Sequence, residues 1–467
     1  MTGGTARDLQ GTLERAIATL DRLAPSGTLG LAVSGGSDSL ALLHVAARWA
    51  ALRGRSLAVA TIDHGLRGAA PAEAAAVARQ ARVLGLTHAL LTGDAAGRGN
   101  LQGRARELRY TALAAWAEGA GLAAVATAHT EDDQAETVLM RLARGAGADG
   151  LAGISELRHR AGPPALTVIR PLLGHSRAEL RAWLRAEGLG WIEDPTNADP
   201  AFDRTRARAA LVALAPLGLT APMLATTAGR MRATVGVLDA AVARLTAGNL
   251  ALGVAGEIEI ACLALTGGEP ETAMRLLARA AQVLTGAGYP PRREALERAI
   301  AFARAAADGR LPDTPFADGV LLTAPGRAAS RLDRPAIALC REPSACAAPL
   351  QITQHGTAGD GRLQLWDGRL GLASGFPHLT IAALGEMRLT AIKSAGTLTL
   401  GGRDVYEAFM AAPRAARLSA PAAVRADGTL EAVFLRDGWA ASGALDPTPG
   451  VFHDAVARRL YAAFKGV

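Results

Sequence analysis

The sequence predicts a chain that begins with an α/β fold built on a doubly wound parallel sheet, continues with a helical domain and ends with a smaller β-rich domain. Buried strand patterns alternate with helical patterns between residues 10 and 173. Long helical patterns fill about 220–309, and short β-like runs separated by glycines dominate beyond about 310. These observations set the predicted domains at residues 1–212, 213–312 and 313–467.

Short apolar runs predict the strands of the first domain, at residues 28–34, 56–66, 87–93, 122–130 and 166–173. An amphipathic helix precedes them over 10–24, and a second helical pattern starts at Leu40. Further helices separate the later strands, at residues 72–86, 101–121 and 131–147. The carboxyl ends of parallel strands share one edge of a sheet, so the polar residues that follow these strands should converge there.

The second domain is predicted from long helical patterns at residues 222–245, 269–288 and 291–309, interrupted by a short apolar segment at about 252–265. The last domain is predicted to be β-rich from runs such as 363–374 and 432–442. The helical patterns also carry arginines that are candidates for phosphate contacts, at Arg230, Arg232, Arg244, Arg275, Arg279, Arg292 and Arg293.

A loop of small and acidic residues, SGGSDS, separates the first buried strand from the helical pattern at Leu40, and it comprises Ser34, Gly35, Gly36, Ser37, Asp38 and Ser39. The two glycines allow a close approach to the backbone, and the helix turns its free N–H groups toward the loop. This pattern predicts a phosphate site, although a tight turn with a serine cap has the same composition. Asp38 beside phosphate suggests a metal ion between the two.

A second candidate site follows the other strands, at Asp63–His64 and in the stretch AHTEDDQAETVLM at 128–140. If a helix starts near Glu131, then Asp133 and Glu136 share one of its faces, with His129 beside that face. Two carboxylates a turn apart can hold an ammonium group or Mg²⁺. Acids in a first helical turn also have a simpler explanation in the helix dipole.

A third candidate group is an arginine cluster made of Arg98, Arg104, Arg106 and Arg109. Arg106 and Arg109 are three residues apart and so lie on one face of the predicted helix. They are candidates for contact with phosphate or with an anionic leaving group. The alternative is a solvated helix face that includes Glu107.

The composition favours a polyanionic partner, because the net charge is +7. Only Lys393 and Lys465 are lysines, so a GC-rich coding bias toward arginine weakens that inference. Neither a signal pattern nor a membrane span is recognisable, and the longest uncharged stretch, 211–229, contains Pro216 and Pro222. The three cysteines form no Cys-x-x-Cys pair. A cytoplasmic protein without a cysteine-ligated metal is expected.

Together these motifs resemble the tRNA(Ile)-lysidine synthetase family of PP-loop ATP pyrophosphatases. The resemblance covers about 28–210 and rests on the following segments in order: SGGSDS, IDHGLRGAAPAEA, GNLQGRARELRY, AHTEDDQAETVLMRLARGAGADGLAGI, RPLLGHSRAELRAWL and WIEDPTNADPAFDRTRAR. The stretch YPPRREALERAI resembles the middle, tRNA-contacting domain of that family. One departure is RTRAR at 204–208, where the family often has Arg-Asn.

The resemblance implies an enzyme that uses ATP and free lysine to convert the wobble cytidine of CAU-anticodon tRNA(Ile) into lysidine. The loop 34–39, with Asp63 and His64, would bind ATP, and Asp38 would hold Mg²⁺. His129, Asp133 and Glu136 would bind lysine, with one acid as the base. Arg106 or Arg109 would stabilise the charge that builds during adenylyl transfer. Which of Arg106, Arg109, Arg204 and Arg206 contacts the triphosphate or the tRNA stays open.

Two alternatives keep part of this pattern. A PP-loop tRNA thiolase would share the loop but needs catalytic or cluster-binding cysteines, and the cysteines here, Cys262, Cys340 and Cys346, lie far from the motifs in sequence. A non-catalytic RNA-binding protein would keep the fold and the charge but would have little use for both Asp38 and Asp133. In the lysidine synthetase interpretation, the last domain, 313–467, is the candidate for tRNA recognition.

Overall fold

The chain folds into two compact units, Met1–Gly236 and Val237–Val467. The computed structural model describes the following residues: 3–63, 70–93, 101–160, 165–193, 203–287, 289–309, 311–325, 330–347, 350–351, 364–366, 370–372, 380–395, 402–425, 430–435, 438–441 and 452–454. The domain boundaries predicted at 212 and 312 stay predictions.

The first unit contains a six-stranded sheet in the order β3-β2-β1-β4-β6-β5. Its strands are β1 (Leu29–Ala32), β2 (Leu57–Asp63), β3 (Thr87–Thr92), β4 (Ala124–Thr127), β5 (Leu157–Arg160) and β6 (Leu166–Ile169). Neighbours pair in parallel from β3 through to β6, which confirms the predicted doubly wound parallel sheet. Residues 166–169 form a strand, as predicted, but the chain leaves the sheet after Ile169.

The edge strand β5 was not predicted, and it pairs with β6 in the antiparallel direction. Its sequence, LRHR, is mostly exposed. An edge strand needs only one partner and one covered face, so it lacks the apolar run by which the buried strands are recognised.

Helices cover both faces of this sheet. They are α1 (Gly3–Leu23), α2 (Ser37–Arg53), α3 (Ala70–Val83), α4 (Leu101–Gly119), α5 (Glu131–Leu142), α6 (Ala148–Leu151), α7 (Arg177–Ala186) and α8 (Asp203–Leu214), and α9 (Ala221–Thr246) continues into the second unit. Leu31 of β1 packs in one core with Leu43 of α2 and Leu180 of α7. On the opposite face, Val125 of β4 packs with Leu113 of α4. The alternation of strand side chains thus builds two apolar layers.

The position of α5 follows from the strand order. The strands β1 and β4 are neighbours, while the chain runs outward from them in opposite directions along the sheet. The helices that follow them, α2 and α5, therefore begin at the switch point, where ligands of such sheets bind. The outer side of α5 packs on later helices, through Ala135 and Val138 against Leu224 and Ala228.

The second unit begins with a five-stranded antiparallel sheet in the order β7-β8-β11-β10-β9. The strands are β7 (Leu250–Leu252), β8 (Ile258–Ala261), β9 (Thr314–Ala317), β10 (Val320–Thr323) and β11 (Ala336–Arg341). The helices α10 (Cys262–Thr266), α11 (Pro270–Thr285) and α12 (Arg293–Ala306) share its core. The apolar segment predicted to interrupt the helices is thus part of a sheet that joins strands on both sides of residue 312.

The rest of the second unit is mixed, with short strands around a few helices. Its elements are β12 (Leu350–Gln351), β13 (Gln364–Trp366), β14 (Leu370–Leu372), β15 (Thr380–Ala383), α13 (Gly385–Ala395), α14 (Gly402–Ala411), α15 (Arg414–Ser419), β16 (Pro421–Val424), β17 (Leu430–Leu435), β18 (Gly438–Ala441) and β19 (Phe452–Asp454). The observed strands agree with the predicted β-rich character of this region.

Within the described residues, no single helix is both long and apolar enough to cross a membrane. The segments Asp203–Leu217 and Ala221–Thr246 meet that criterion only when they are taken together, and they are bent by 96° at the break between them.

A capping box fixes the start of α5. The buried Thr130 hydroxyl accepts from the Asp133 N–H at 3.4 Å, and Asp133 Oδ2 accepts from the Thr130 N–H at 2.9 Å. Thr130→Ala should lower the free energy of unfolding by about 1 kcal/mol, because it leaves a helix N–H without its partner. Urea denaturation of Thr130→Ala and Thr130→Ser measures this loss. The serine variant keeps the cap and should stay near the wild type; equal losses in the two variants would contradict the assignment.

Candidate active site

The loop predicted to bind phosphate forms a tight turn into α2. Gly35 has a φ of +92°, a conformation that suits glycine, and Gly36 is the N-cap of the helix. The Ser39 hydroxyl accepts from the N–H groups of Ser34 and Gly35 at 3.2 and 3.1 Å and donates to the Gly36 carbonyl at 2.9 Å. The loop thus folds back on the helix start, whose first N–H groups have no intrahelical partner and attract anions.

Asp38 lies in the first turn of α2, between the loop and a second helix. Its Oδ1 accepts from the Ser37 hydroxyl at 3.1 Å, and its Oδ2 accepts from Arg177 Nε at 3.0 Å. Burial raises the pKa of Asp38 despite the arginine. A cation beside this carboxylate would offset that cost. Among the residues described, no group of three or more His, Cys, Asp or Glu side chains could hold a metal. Asp38 therefore fits Mg²⁺ only as one carboxylate ligand beside phosphates, which is the usual mode for this ion.

Two arginines of α7 contact the loop, and neither of them was predicted as a site residue from the sequence. Arg177 reaches Asp38, and one turn later Arg181 Nε donates to the Ser37 hydroxyl at 3.1 Å. Their four-residue spacing, directly after the N-cap Ser176, is the signal that points both side chains to the same side. The sequence does not reveal what this side faces, because Asp38, the partner of Arg177, is 139 residues away in the chain.

Asp133 faces the loop from α5, as predicted, and is 8% exposed. One carboxylate oxygen caps the helix, while the other lies 3.7 Å from Arg177 Nη2 and 3.5 Å from Arg204 Nη1. Burial favours the neutral acid, but the charges of Arg204 and Arg177 and the hydrogen bond from the Thr130 N–H outweigh it and lower the pKa of Asp133. This carboxylate therefore stays ionised.

Glu136 lies one turn further along α5 and is 1% exposed. Its Oε1 accepts from Arg208 Nε at 3.0 Å and lies 3.7 Å from Arg177 Nη1. Its Oε2 is buried without a hydrogen-bond partner. Burial and the charge of Asp133 raise the pKa of Glu136 despite the arginines. An orphaned carboxylate oxygen in this place fits a ligand that brings a proton donor.

His129 sits beside these acids at the end of β4. Burial lowers the pKa of His129 to about 3, so its ring is neutral at physiological pH. Its Nδ1 lies 3.0 Å from the Thr127 hydroxyl. The positive charges of Arg170, Arg204 and Arg109 act in the same direction as burial.

The arginines differ in how they relate to the site. The 204–208 segment turns Arg204 toward Asp133 and Arg208 toward Glu136, whereas Arg206 pairs with Asp203. The guanidinium of Arg106 lies 5.1 Å from the ring centroid of Tyr110. Arg109 lies within electrostatic range of His129. The arginine cluster at 204–208 was recognisable in the sequence. Only the packing shows that Arg204 and Arg208 face the acids whereas Arg206 does not.

The remaining predicted site residues are placed only in part. Asp63 ends β2 beside Thr92 of β3, and the buried Thr61 donates to the Val33 carbonyl at 2.9 Å. His64 and Arg98 lie outside the described residues. The structure therefore brings Asp38, Asp133 and Glu136 together around one guanidinium, with His129 beside Asp133 and Asp63 at the same sheet edge.

The cysteines lie in the second unit, and two of them are buried. Burial raises the pKa of Cys262 to about 11 and the pKa of Cys340 well above its usual value. A buried thiol of this kind is a poor nucleophile and a poor metal ligand, because both tasks need the thiolate. The thiolase alternative is not favoured by these environments.

Comparison with known proteins identifies the family. A family model described as a PP-loop domain matches residues 9–215. A tRNA(Ile)-lysidine synthase from Ruegeria pomeroyi is 41% identical over 346 residues, which are 74% of this chain and 76% of that protein. The chain belongs to the tRNA(Ile)-lysidine synthase family. It is therefore an enzyme, an ATP-using ligase that modifies tRNA.

Other relatives agree with this assignment. The synthase from Rhizobium meliloti is 36% identical over 77% of this chain and 76% of its own length. The Bradyrhizobium sp. synthase is 51% identical over 45% of this chain and 58% of its own length.

Among solved structures, a U34-tRNA thiolase from Methanococcus maripaludis with its [4Fe-4S] cluster is 18% identical, with a TM-score of 0.42 over 48% of this chain and 80% of its own.

The loop allows a direct test of phosphate binding. A Cβ added at Gly36 would meet Ser34 Oγ and the Ile192 carbonyl only at 3.9 and 4.0 Å, so the fold has room for a side chain there. Gly36→Val should keep the fold but lower ATP affinity at least tenfold (about 1.4 kcal/mol), because it covers the free N–H groups of α2. Titration calorimetry measures the affinity. The control is Gly236→Val on α9, where nothing lies within 4 Å of an added Cβ. Unchanged ATP affinity in folded Gly36→Val would exclude the loop.

Proposed function

We propose that the enzyme joins free L-lysine to C2 of the wobble cytidine of tRNA(Ile) with a CAU anticodon, which changes decoding from AUG to AUA. ATP first adenylates the cytidine O2 and pyrophosphate leaves. The lysine Nζ then attacks C2, the C2–O2 bond breaks, and AMP leaves with the oxygen. The observation that carries this proposal is the meeting of the loop acid Asp38 with the acids Asp133 and Glu136 around one guanidinium.

The two acids of α5 suit two different tasks. Free lysine carries an ammonium group with a pKa of about 10.4, so it needs a counter-ion to bind and must lose a proton to attack. Asp133, whose pKa is lowered, suits the counter-ion. Glu136, whose pKa is raised and whose Oε2 is free of protein partners, suits the proton acceptor. His129 completes the lysine site as a neutral wall beside Asp133.

The ATP site in this proposal consists of residues 34–39 with Asp63 and His64. The N–H groups at the start of α2 bind the phosphates that leave as pyrophosphate. Asp38 is the protein ligand of Mg²⁺, which when bound neutralises charge on the phosphates. Arg106 or Arg109 is proposed to stabilise the adenylyl-transfer transition state, and the electrostatic effect of Arg109 on His129 favours Arg109.

Asp133→Asn tests the assignment of the lysine site. The amide keeps an oxygen for the Thr130 cap but removes the negative charge. The lysine concentration needed for half-maximal pyrophosphate release should rise at least about tenfold, while ATP dependence changes little. The measurement is pyrophosphate release with purified tRNA, with lysine and ATP varied in turn.

Glu136→Gln is the companion variant, and it should lower the maximal rate of lysine incorporation more than the affinity for lysine. Thr130→Ser serves as the matched control because it perturbs the same helix turn without touching charge. If Asp133→Asn impairs only ATP binding, these acids hold the metal and the proposed roles must be exchanged.

Recognition of the tRNA is proposed to involve the second unit. The initiator methionine tRNA also carries a CAU anticodon, so the reacting base cannot distinguish the two tRNAs and other contacts must do so. Not all arginines of the helical region are available for this. Arg275 is buried against Asp239, and Arg279 pairs with the same carboxylate. Arg292 and Arg293, by contrast, are exposed at the start of α12, where Arg293 forms only a surface ion pair with Glu297.

Replacing both Arg292 and Arg293 by Gln should weaken tRNA binding and flatten its salt dependence. The log–log slope should fall by roughly one for each phosphate contact removed. Filter binding at several salt concentrations gives the slope, and lysine incorporation into isoleucine and methionine tRNA gives the specificity. The control is Arg82→Gln, which removes an exposed arginine from the last turn of α3 in the first unit. A slope equal to the wild type would remove this helix from the interface.

A further inference from the structure

Arg177 contacts the acids of both proposed half-sites. Its Nε donates to Asp38 Oδ2 at 3.0 Å, its Nη2 lies 3.7 Å from Asp133 Oδ1, and its Nη1 lies 3.7 Å from Glu136 Oε1. Each nitrogen of the guanidinium thus faces a different carboxylate. The acid of the ATP loop and the acids of the lysine site share this one cation.

The backbone of Arg177 is anchored, whereas its side chain is partly exposed to solvent. The Arg177 N–H donates to Asp132 Oδ2 at 2.7 Å, and the Glu131 N–H donates to the His175 carbonyl at 2.9 Å, which ties the start of α7 to the start of α5. The Arg177 side chain is 20% exposed. A flexible, permanently charged side chain on a fixed base can exchange partners without moving the helices.

An exchange of partners by Arg177 would change the charge balance at the acids of α5. Besides Arg177, Asp133 has Arg204 at 3.5 Å, and Glu136 has Arg208 at 2.9 Å. An ammonium group that binds Asp133 and Glu136 must compete with Arg177, because both cations are attracted to the same two carboxylates. A triphosphate on the loop would sit next to Asp38 and would offer the guanidinium a stronger anion.

We propose that Arg177 is a positioning residue that couples the two half-sites: phosphate bound at the loop draws its guanidinium away from Asp133 and Glu136 and frees these acids for the lysine ammonium. This inference rests on the proposed function, because it takes the acids of α5 as the lysine site. It makes ATP and lysine bind with positive cooperativity. By linkage, each ligand must raise the affinity for the other by the same factor.

Calorimetry on the full-length enzyme tests this coupling. The wild type should bind lysine about tenfold more tightly with a non-hydrolysable ATP analogue and Mg²⁺ than without them, within the usual range for coupled sites. Lysine should strengthen analogue binding by an equal factor. If the analogue leaves the lysine affinity of the wild type unchanged, the proposal is wrong, and no variant is needed to show it.

Arg177→Gln separates this role from a merely structural one. Removing the competing cation should raise lysine affinity in the absence of the analogue, and the analogue should then add little. A structural defect would instead weaken lysine binding under both conditions. Arg177→Lys keeps the cation and should restore most of the coupling. Arg181→Gln is the matched control on the same helix face, since Arg181 contacts Ser37 and Glu193, and its lysine affinity without the analogue should equal that of the wild type.

The outcomes separate a failure of the coupling role of Arg177 from a failure of the proposed lysine site. If Arg177→Gln shows the same ratio of lysine affinities as the wild type, the coupling role is wrong while the lysine site stands. If Asp133→Asn binds lysine as tightly as the wild type, the proposed lysine site itself is wrong, and the coupling role falls with it.

Discussion

Because β1 and β4 are neighbours in the parallel sheet, the helices that follow them begin side by side at its carboxyl edge. The start of α2 carries free N–H groups and Asp38, and the start of α5 carries Asp133 and Glu136. Both helix dipoles favour negative charge at this edge. Three carboxylates from the two helices therefore meet in one place around Arg177, and their mutual repulsion is the constraint that the rest of the site must satisfy.

Crowded carboxylates need cations, and the fold supplies them from segments that are distant in sequence. Arg177 comes from α7, and Arg204 and Arg208 come from α8. Removing one of these arginines would leave a buried carboxylate with less compensation for its charge. These ion pairs thus help to hold the α7 and α8 helices at the sheet edge.

Asp133 and Glu136 also show how one helix turn produces two different acids. Asp133 lies next to the capping N–H and two arginines, and its pKa is lowered. Glu136 is more deeply buried and faces the charge of Asp133, so its pKa is raised. Acids whose pKa values are separated by their surroundings can divide binding and proton transfer between them. The division depends on the positions of the two acids as well as on their chemical type, because each position shifts the pKa in its own direction.

The sequence by itself determined the features that depend on local physics. The alternation of strands and helices, the SGGSDS turn and the shared face of Asp133 and Glu136 all follow from periodicity, turn chemistry and capping, and the structure has each of them. The strand β5 was missed, since an exposed edge strand carries no apolar run. Only the tertiary structure decided the contacts of Arg177, the split between Arg208 and Arg206, and the opposite pKa shifts of the two acids. These depend on contacts at one sheet edge between residues far apart in the chain, 72 positions for Arg208 and Glu136 and 139 for Arg177 and Asp38, and no local pattern contains such distances.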